Sequence, residues 1–260
     1  MIFIGERINA GFKDIKRAIQ EKDPDPIKSW AIKQTDSGAT YLDVNMGTAS
    51  AKAEDLCWMI ETVQSVTELP ISIDNNKPAM IKEALPVCKK PPLINSLTAD
   101  EAKLDAMLPI IKEYDASFIG LVMDEEGSPK DANKRVENAG RIVSKIMEYD
   151  IEPDHLFLDP IVMPLKFMQE QAIEIMNGAN QFRLFTDPPC HIVCGLSNVS
   201  NGTKHKSLIN RTFAAMLVGN GLDAVICSVS DEELVNTILT AELVMNRQIY
   251  ADSYLEAFRS

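Results

Sequence analysis

Residues 41–45 read Tyr-Leu-Asp-Val-Asn, a short apolar segment that ends in polar side chains. Residues 71–76 repeat the arrangement as Ile-Ser-Ile-Asp-Asn-Asn. Runs of this length, apolar without strict alternation, are typical of strands that are covered on both faces. We predict eight such strands, at residues 2–4, 41–44, 71–73, 93–94, 117–122, 155–158, 192–194 and 224–227.

The segments between these strands have helical spacing. Leu104, Met107, Leu108 and Ile111 fall at i, i+3, i+4 and i+7, which places them on one face of a helix. Strands that alternate with helices indicate an α/β fold with a parallel sheet. We predict a single-domain (β/α)8 TIM barrel over residues 1–260, with an open doubly wound sheet as the alternative.

The composition limits the class of function. The 260 residues have 45% hydrophobic and 25% charged content and a formal net charge of −12, a balance typical of globular proteins that disfavours nucleic acid as a partner. The longest apolar runs are too short for a signal peptide or a membrane span, so we expect a cytoplasmic protein. No Gly-rich phosphate fingerprint follows any predicted strand. The five cysteines are expected to be buried thiols and not metal ligands.

Polar side chains end six of the predicted strands. In a parallel barrel the carboxyl ends of all strands meet at one face, where active sites lie. Each polar residue could simply cap the next helix or form a turn. Six in register favour a hydrogen-bonding pocket instead. They are Glu6, Arg7 and Asn9, then Asp43 and Asn45, Asp74 to Asn76, Asn95 and Ser96, Asp159, and finally Ser197 and Asn198.

Two chemistries suit such a pocket. Carboxylates accept adjacent N–H groups and asparagine both donates and accepts, which matches the edge of a 2-amino-4-oxo pterin ring. The same carboxylates could instead bind Mg²⁺ or Mn²⁺. His155 and His191 begin their predicted strands and so lie at the opposite face, while His205 lies in a loop on the active side.

Four motifs together resemble one enzyme family. Residues 4–9 read Ile-Gly-Glu-Arg-Ile-Asn, 43–45 Asp-Val-Asn, 195–200 Gly-Leu-Ser-Asn-Val-Ser, and 208–213 Leu-Ile-Asn-Arg-Thr-Phe. With these motifs the chain resembles the pterin-binding methyltransferases that use methyltetrahydrofolate and a corrinoid protein, such as the acetogen enzyme that serves the corrinoid iron-sulfur protein. The similarity covers nearly the whole chain.

The resemblance implies roles for the strand-end residues. It implies that Asp74, Asn95 and Asp159 bind the pyrimidine edge of the pterin, with Asp43 and Ser197 nearby, and that the catalytic Asn198 hydrogen-bonds N5. Glu6, Asn9, Gly195 and Lys206 complete the predicted substrate-binding set, and no metal ligand is predicted. Lys206 stands where the acetogen enzyme has arginine, and the loop at residues 201–205 also differs.

The implied reaction moves a methyl group between N5 of tetrahydrofolate and the cobalt of a corrinoid (cobalamin), in either direction. The sequence lacks the D-x-H-x-x-G motif of corrinoid-binding domains, so we expect the corrinoid to come on a partner protein. N5 must gain positive charge before it can leave. No inner residue is a histidine, so we expect no side chain there to titrate near neutral pH, and the proton to come from solvent.

Three alternatives remain open. A dihydropteroate synthase would share the pterin pocket, but residues 195–200 contain no basic side chain for a diphosphate. A metal-dependent barrel lyase or aldolase would use Glu6, Asp43, Asp74 and Asp159 as ligands. A non-catalytic pterin-binding subunit would bind folate without turnover. The family resemblance also implies a homodimer.

Overall fold

Eight parallel strands form the centre of the computed structural model, which describes residues 1–259. The strands are β1 (Ile2–Asn9), β2 (Tyr41–Asn45), β3 (Ile71–Asp74), β4 (Leu93–Thr98), β5 (Ser117–Leu121), β6 (Leu156–Asp159), β7 (His191–Ile192) and β8 (Ala224–Cys227). The helices are α1 (Lys13–Glu21), α2 (Asp25–Asp36), α3 (Ala53–Gln64), α4 (Pro78–Ala84), α5 (Glu101–Glu113), α6 (Ala132–Glu148), α7 (Gln171–Phe182), α8 (Lys206–Gly219), α9 (Glu232–Val244) and α10 (Tyr254–Arg259). Three 3-10 segments cover Leu85–Val87, Pro153–His155 and Leu196–Ser200.

The strand order shows that the sheet closes into a barrel. The order is β7-β6-β5-β4-β3-β2-β1-β8, so each strand lies beside its neighbours in sequence and β8 returns to pair with β1. Beyond β7 the chain also meets β8, because the N–H of Ile226 donates to the carbonyl of Cys194 at 2.9 Å and Gly195 forms a bridge with Ile226. The predicted (β/α)8 barrel is therefore confirmed over the open-sheet alternative.

Apolar side chains fill both sides of the barrel wall. A small cluster consists of strand residues such as Ile4, Leu93, Ile119 and Phe157, and it fills the barrel interior. A much larger cluster lies between the strands and the helices. Because the interior is packed, a ligand has room only at the ends of the strands.

The predicted strands all exist, but only β8 keeps its predicted bounds, and β1 and β4 are extended the most. β1 continues through its charged residues to Asn9 because it pairs with β2 again after a register shift between Gly5 and Ile8. β4 likewise extends to Thr98 along β5. β7 ends at Ile192. Val193 and Cys194 still make backbone hydrogen bonds, to Leu158 of β6 and Ile226 of β8, but they do not continue a regular strand ladder. Position 155 lies in a 3-10 segment and β6 begins one residue later.

The helices agree with the predicted periodicity. Leu104, Met107, Leu108 and Ile111 form the buried face of α5, with Pro109 inside the helix. The side chain of Asp100 caps this helix by accepting the N–H of Lys103. In residues 1–259 no helix is long and apolar enough to cross a membrane.

Candidate functional site

The carboxyl ends of five strands bring a cluster of polar side chains together. Since the strands are parallel and adjacent, residues at their ends share one edge of the barrel. The cluster consists of Glu6 in the second half of β1, Asp43 and Asn45 on β2, Asp74 on β3, Asn95 on β4, and Asp159 on β6. They are part of the set of polar strand-end residues that the sequence predicted to form a pocket.

Asp43 lies at the centre of this cluster and is only 2% exposed. Its Oδ1 accepts hydrogen bonds from the hydroxyl of Ser72 at 2.6 Å and from Nδ2 of Asn95 at 3.1 Å. The carboxyl group of Asp74 lies near enough for its negative charge to act on that of Asp43. Two neighbouring buried carboxyl groups favour a proton on one of them, because like charges repel strongly where water is excluded.

The pKa values of the pair agree with a shared proton. Burial raises the pKa of Asp43 to about 8, and the negative charge of Asp74 acts in the same direction. Burial also raises the pKa of Asp74. The hydrogen bond that Nδ2 of Asn45 donates to its Oδ2 lowers this pKa, but by less. The expectation that no inner side chain titrates near neutral pH is wrong, because burial shifts a carboxyl group into the range of histidine.

Asp159 lies on the other side of the barrel mouth and is also buried, at 7% exposure. Burial raises its pKa to about 6, although it accepts backbone N–H groups from Ile161, at 2.7 Å, and from Gly195. Ile161 has a φ of 64°, a conformation that costs energy in a β-branched residue. The backbone after β6 thus holds the Asp159 carboxylate at the strand end.

A fully buried arginine supports this turn from behind. Arg135 of α6 donates from Nε to the carbonyl of Pro160 at 2.8 Å and from NH2 to Oε1 of Gln171 at 2.9 Å. Its positive charge also lowers the pKa of Asp159. Arg135 therefore fixes the position of the turn and favours the ionised form of the carboxylate.

The segment after β7 forms the open side of the site. Ser197 donates its hydroxyl to Oε2 of Glu6 at 3.1 Å, while burial raises the pKa of that glutamate. Asn198 is exposed, next to Ser197 in the 3-10 segment Leu196–Ser200. A Cβ on Gly195 would lie 3.0 Å from Nδ2 of Asn198, so the absence of a side chain there leaves space for the amide.

Within residues 1–259 the side chains of three predicted residues, Asn9, Asn198 and Lys206, make no hydrogen bond to the cluster. Oδ1 of Asn9 accepts the N–H of Gly11 at 2.8 Å, which is the turn-forming role that competed with the site role. Lys206 is exposed and is the first residue of α8. Asn75 similarly accepts the N–H of Lys77 at 2.9 Å.

His155 and His191 lie where the strands begin, as predicted. The ring of His191 stacks on Phe157, with 4.5 Å between the ring centroids, and bonds Asp223 at 2.9 Å and Asp154 at 3.1 Å. Nδ1 of His155 lies 3.1 Å from the carbonyl oxygen of Ala116. Neither ring is part of the strand-end cluster. In residues 1–259 no group of three or more His, Cys, Asp or Glu side chains is arranged to hold a metal ion.

Comparison with known proteins identifies the family. The sequence profile of the family described as "Pterin binding enzyme" matches residues 5–228. This chain belongs to that family. The resemblance predicted from the four motifs is thereby confirmed.

Relatives within the pterin-binding family cover different shares of their own chains. One is the methylcorrinoid:tetrahydrofolate methyltransferase of Eubacterium limosum, 32% identical over 262 residues that include 100% of this chain and 96% of that protein. The methionine synthase of Mycobacterium tuberculosis is 26% identical over 88% of this chain. The match spans only 20% of that longer protein.

Solved structures share the fold at low sequence identity. The dihydropteroate synthase of Yersinia pestis has a TM-score of 0.66 and 16% identity, covering 94% of each chain. The enzyme of Coxiella burnetii has a TM-score of 0.66 and 14% identity, covering 95% of this chain and 93% of its own. At this identity the likeness concerns the barrel alone.

Sequence reasoning missed two residues that support the cluster. Ser72 is a polar residue between two isoleucines in the middle of β3, and its alternation with them could have shown that it points inward with Asp74. Arg135 occurs in a charged stretch. It nevertheless shares the helical spacing of the buried Ala139 and Ile142, which could have placed it on the inner face.

Proposed function

We propose that this chain is a methyltransferase that moves a methyl group between N5 of tetrahydrofolate and the cobalt of a corrinoid carried by a partner protein. The observation that carries the proposal is the strand-end cluster, where buried and half-buried carboxyl and amide groups lie together, with the exposed Asn198 in the segment that bonds Glu6 through Ser197. The family membership and the name of the Eubacterium relative support it.

The cluster has the donors and acceptors that a pterin needs. We assign Asp74, Asn95 and Asp159 to the pyrimidine edge of the ring. At neutral pH the carboxyl of Asp159, with a pKa of about 6, is mostly ionised and accepts N–H groups. Asn95 already donates Nδ2 to Asp43, which orients its carbonyl oxygen. Burial strengthens each of these bonds because water is excluded.

Asn198 is the proposed catalytic residue. A tertiary amine leaves poorly, so methyl transfer from N5 needs positive charge to develop on that nitrogen. An amide oxygen can accept a hydrogen bond from protonated N5 and stabilise this charge, while the amide itself supplies no proton. Its exposed position at the open side of the cluster leaves it free to turn toward a bound ring.

The Asp43–Asp74 pair changes the proposed origin of the proton. With a pKa of about 8, Asp43 holds a proton at neutral pH within the site. The pair can therefore act as a local proton store beside the pterin, refilled from solvent. Because the same residues serve both directions, a test of the proposal must follow the reaction both ways.

The decisive experiment mixes the purified protein with methyltetrahydrofolate and cob(I)alamin and follows the corrinoid spectrum, then repeats the assay from methylcobalamin and tetrahydrofolate. Asn198→Ala is expected to slow conversion by roughly a hundredfold with a much smaller change in folate affinity. Asn201→Ala is the matched control, an exposed asparagine three positions further along. It should convert at the wild-type rate.

Other results would favour the competing functions. Folate binding without conversion, also with methylated corrinoid proteins, would indicate a pterin-binding subunit. An activity that needs added Mg²⁺ and disappears with a chelator would support the metal-dependent lyase or aldolase. Failure to bind tetrahydrofolate would overturn the pterin assignment itself.

We also propose that the protein is a cytoplasmic homodimer. A groove of about 510 Å³ between α8 and α9 is lined by mostly apolar side chains, including Val244 and Met245, and provides one candidate surface. Light scattering should give a mass near twice the 28.8 kDa of one chain. A monomeric mass at micromolar concentration would contradict this part of the proposal.

A further inference from the structure

A second cavity lies beside the proposed site on the same face of the barrel. It has a volume of about 430 Å³ and lies between the loop after β6 and the loop before α8. Its lining residues are Leu165, Lys166, Gln169, Gly202, Thr203 and Lys204. We call it the loop cavity.

Direct contacts between the two loops give the loop cavity a defined shape. The N–H of Leu165 donates to the carbonyl of Val199 at 3.0 Å. Gly202 has a φ of 77°, and a Cβ there would lie 3.2 Å from Cδ of Lys166 and 3.6 Å from the ring of Phe167. Glycine therefore permits both the turn and the close approach of the two loops.

The loop cavity is positively charged in an acidic protein. The chain has 38 acidic and 26 basic residues, yet Lys166 and Lys204 line this cavity and Lys206 follows it in sequence. Within residues 1–259 none of these three lysines takes part in an ion pair. Unpaired cations around a cavity attract an anionic ligand.

The chemistry of folate connects the loop cavity to the site. Tetrahydrofolate carries its aminobenzoyl-glutamate tail on C6, the ring atom next to N5. A residue that contacts N5 therefore lies near the point where the tail leaves the ring. Gly202, Thr203 and Lys204, which line the loop cavity, follow Asn198 within six residues. The segment that holds the residue proposed to contact N5 therefore also forms one wall of the loop cavity.

We propose that the loop cavity binds the glutamate carboxylates of the folate tail and favours substrates that carry several glutamates. This inference rests on the proposed function and adds a specificity to it. Lys166 and Lys204 form ion pairs with successive tail carboxylates, and the side-chain amide of Gln169 can donate a hydrogen bond beside them. The site thereby selects for the length of the tail independently of the pterin ring.

The test compares the affinities of monoglutamyl and triglutamyl tetrahydrofolate by titration calorimetry at low salt. The wild-type protein should bind the triglutamyl form roughly threefold to tenfold more tightly, and salt at about 0.5 M should remove most of that preference. The double variant Lys166→Ala, Lys204→Ala should lose the preference and bind both forms about equally, more weakly than the wild type, because the single glutamate also carries carboxylates. An unchanged circular dichroism spectrum shows that the variant is folded.

A matched double variant separates local contacts from net charge. Lys82→Ala with Lys90→Ala removes the same charge from exposed lysines outside the loop cavity, and the preference should persist. Equal affinity of the wild-type protein for both tails, or a preference that survives in the Lys166, Lys204 variant, would overturn this inference alone. Binding of neither form would overturn the proposed function, and this inference with it.

Discussion

Replacing Asp43 with asparagine should stabilise the protein increasingly as the pH rises. In the native protein burial raises the pKa of Asp43 from its ordinary value of 3.8 to about 8. Between these values the unfolded chain releases the proton while the native protein keeps it. The free energy of unfolding therefore falls with increasing pH, and above a pH of about 8 this fall stops.

The size of the effect follows from the number of protons. One proton retained only in the native state lowers the free energy of unfolding by about 1.4 kcal/mol per pH unit, or up to about 3 kcal/mol from pH 5 to pH 7. Asparagine has nearly the shape of aspartic acid and cannot ionise. The stability of Asp43→Asn relative to the wild type should therefore grow by up to about that amount over the same interval.

Urea unfolding followed by circular dichroism at both pH values measures this difference. Asp105→Asn serves as a control, because this exposed carboxylate bonds Lys145 at 3.0 Å and its pKa is lowered mainly by that bond. The stabilisation from Asp105 is present above its unfolded pKa and is lost as the pH falls through the folded value, so this variant should gain nothing at pH 7. A constant offset between Asp43→Asn and the wild type at both pH values would refute the shared-proton account.

Three further substitutions test other parts of the structure. Gly195→Ala places a Cβ 3.0 Å from Nδ2 of Asn198. The kcat for methyl transfer should therefore fall by roughly tenfold, with little change in the Kd of tetrahydrofolate. An unchanged kcat would contradict the position assigned to the Asn198 amide. Arg135→Met leaves the carbonyl of Pro160 without its hydrogen-bond donor. The free energy of unfolding, measured by urea titration, should fall by about 3 kcal/mol. A loss below about 1 kcal/mol would show that Arg135 does not support the turn after β6. The pKa of His191 is raised, since its two aspartate partners outweigh burial, which lowers it. The stabilisation it gives is complete below the unfolded pKa of 6.5 and is lost as the pH rises through the raised folded pKa. The wild type should therefore lose stability relative to His191→Gln as the pH rises above 6.5, and parallel pH profiles would exclude the effect.

The sequence predicted the barrel because each strand is marked by a local pattern. An apolar run followed by an acidic or amide residue identifies the end of a buried parallel strand, as at Asn45 and Asp74. The pattern fails where pairing continues past the apolar run. Glu6 lies inside β1 because the strand resumes its pairing with β2 after a register shift, which depends on the neighbouring strand.

The sequence predicted which types of residue lie at the strand ends, but it did not predict their pKa values. Residue types at the strand ends indicated a polar pocket, and its members do converge. A pKa depends on burial and on distances between elements that are remote in sequence, such as the 29 positions between Asp43 and Ser72. A local pattern contains no such distance, so neither the shared proton nor the support from Arg135 could be predicted.

The two-residue strand β7 makes one seam of the barrel weaker than the others. Its ladder to β6 has two residue pairs, while β1 has four pairs with β8. On the side of β8, the connection depends on a few backbone hydrogen bonds, such as that from the N–H of Ile226 to the carbonyl of Cys194. Backbone amides held by so few neighbours open at a lower free-energy cost than those of longer strands, and their hydrogens exchange with solvent sooner. Asn198 lies six residues beyond the end of β7, so the residue proposed to act on N5 is attached to the part of the barrel wall with the shortest strand ladder.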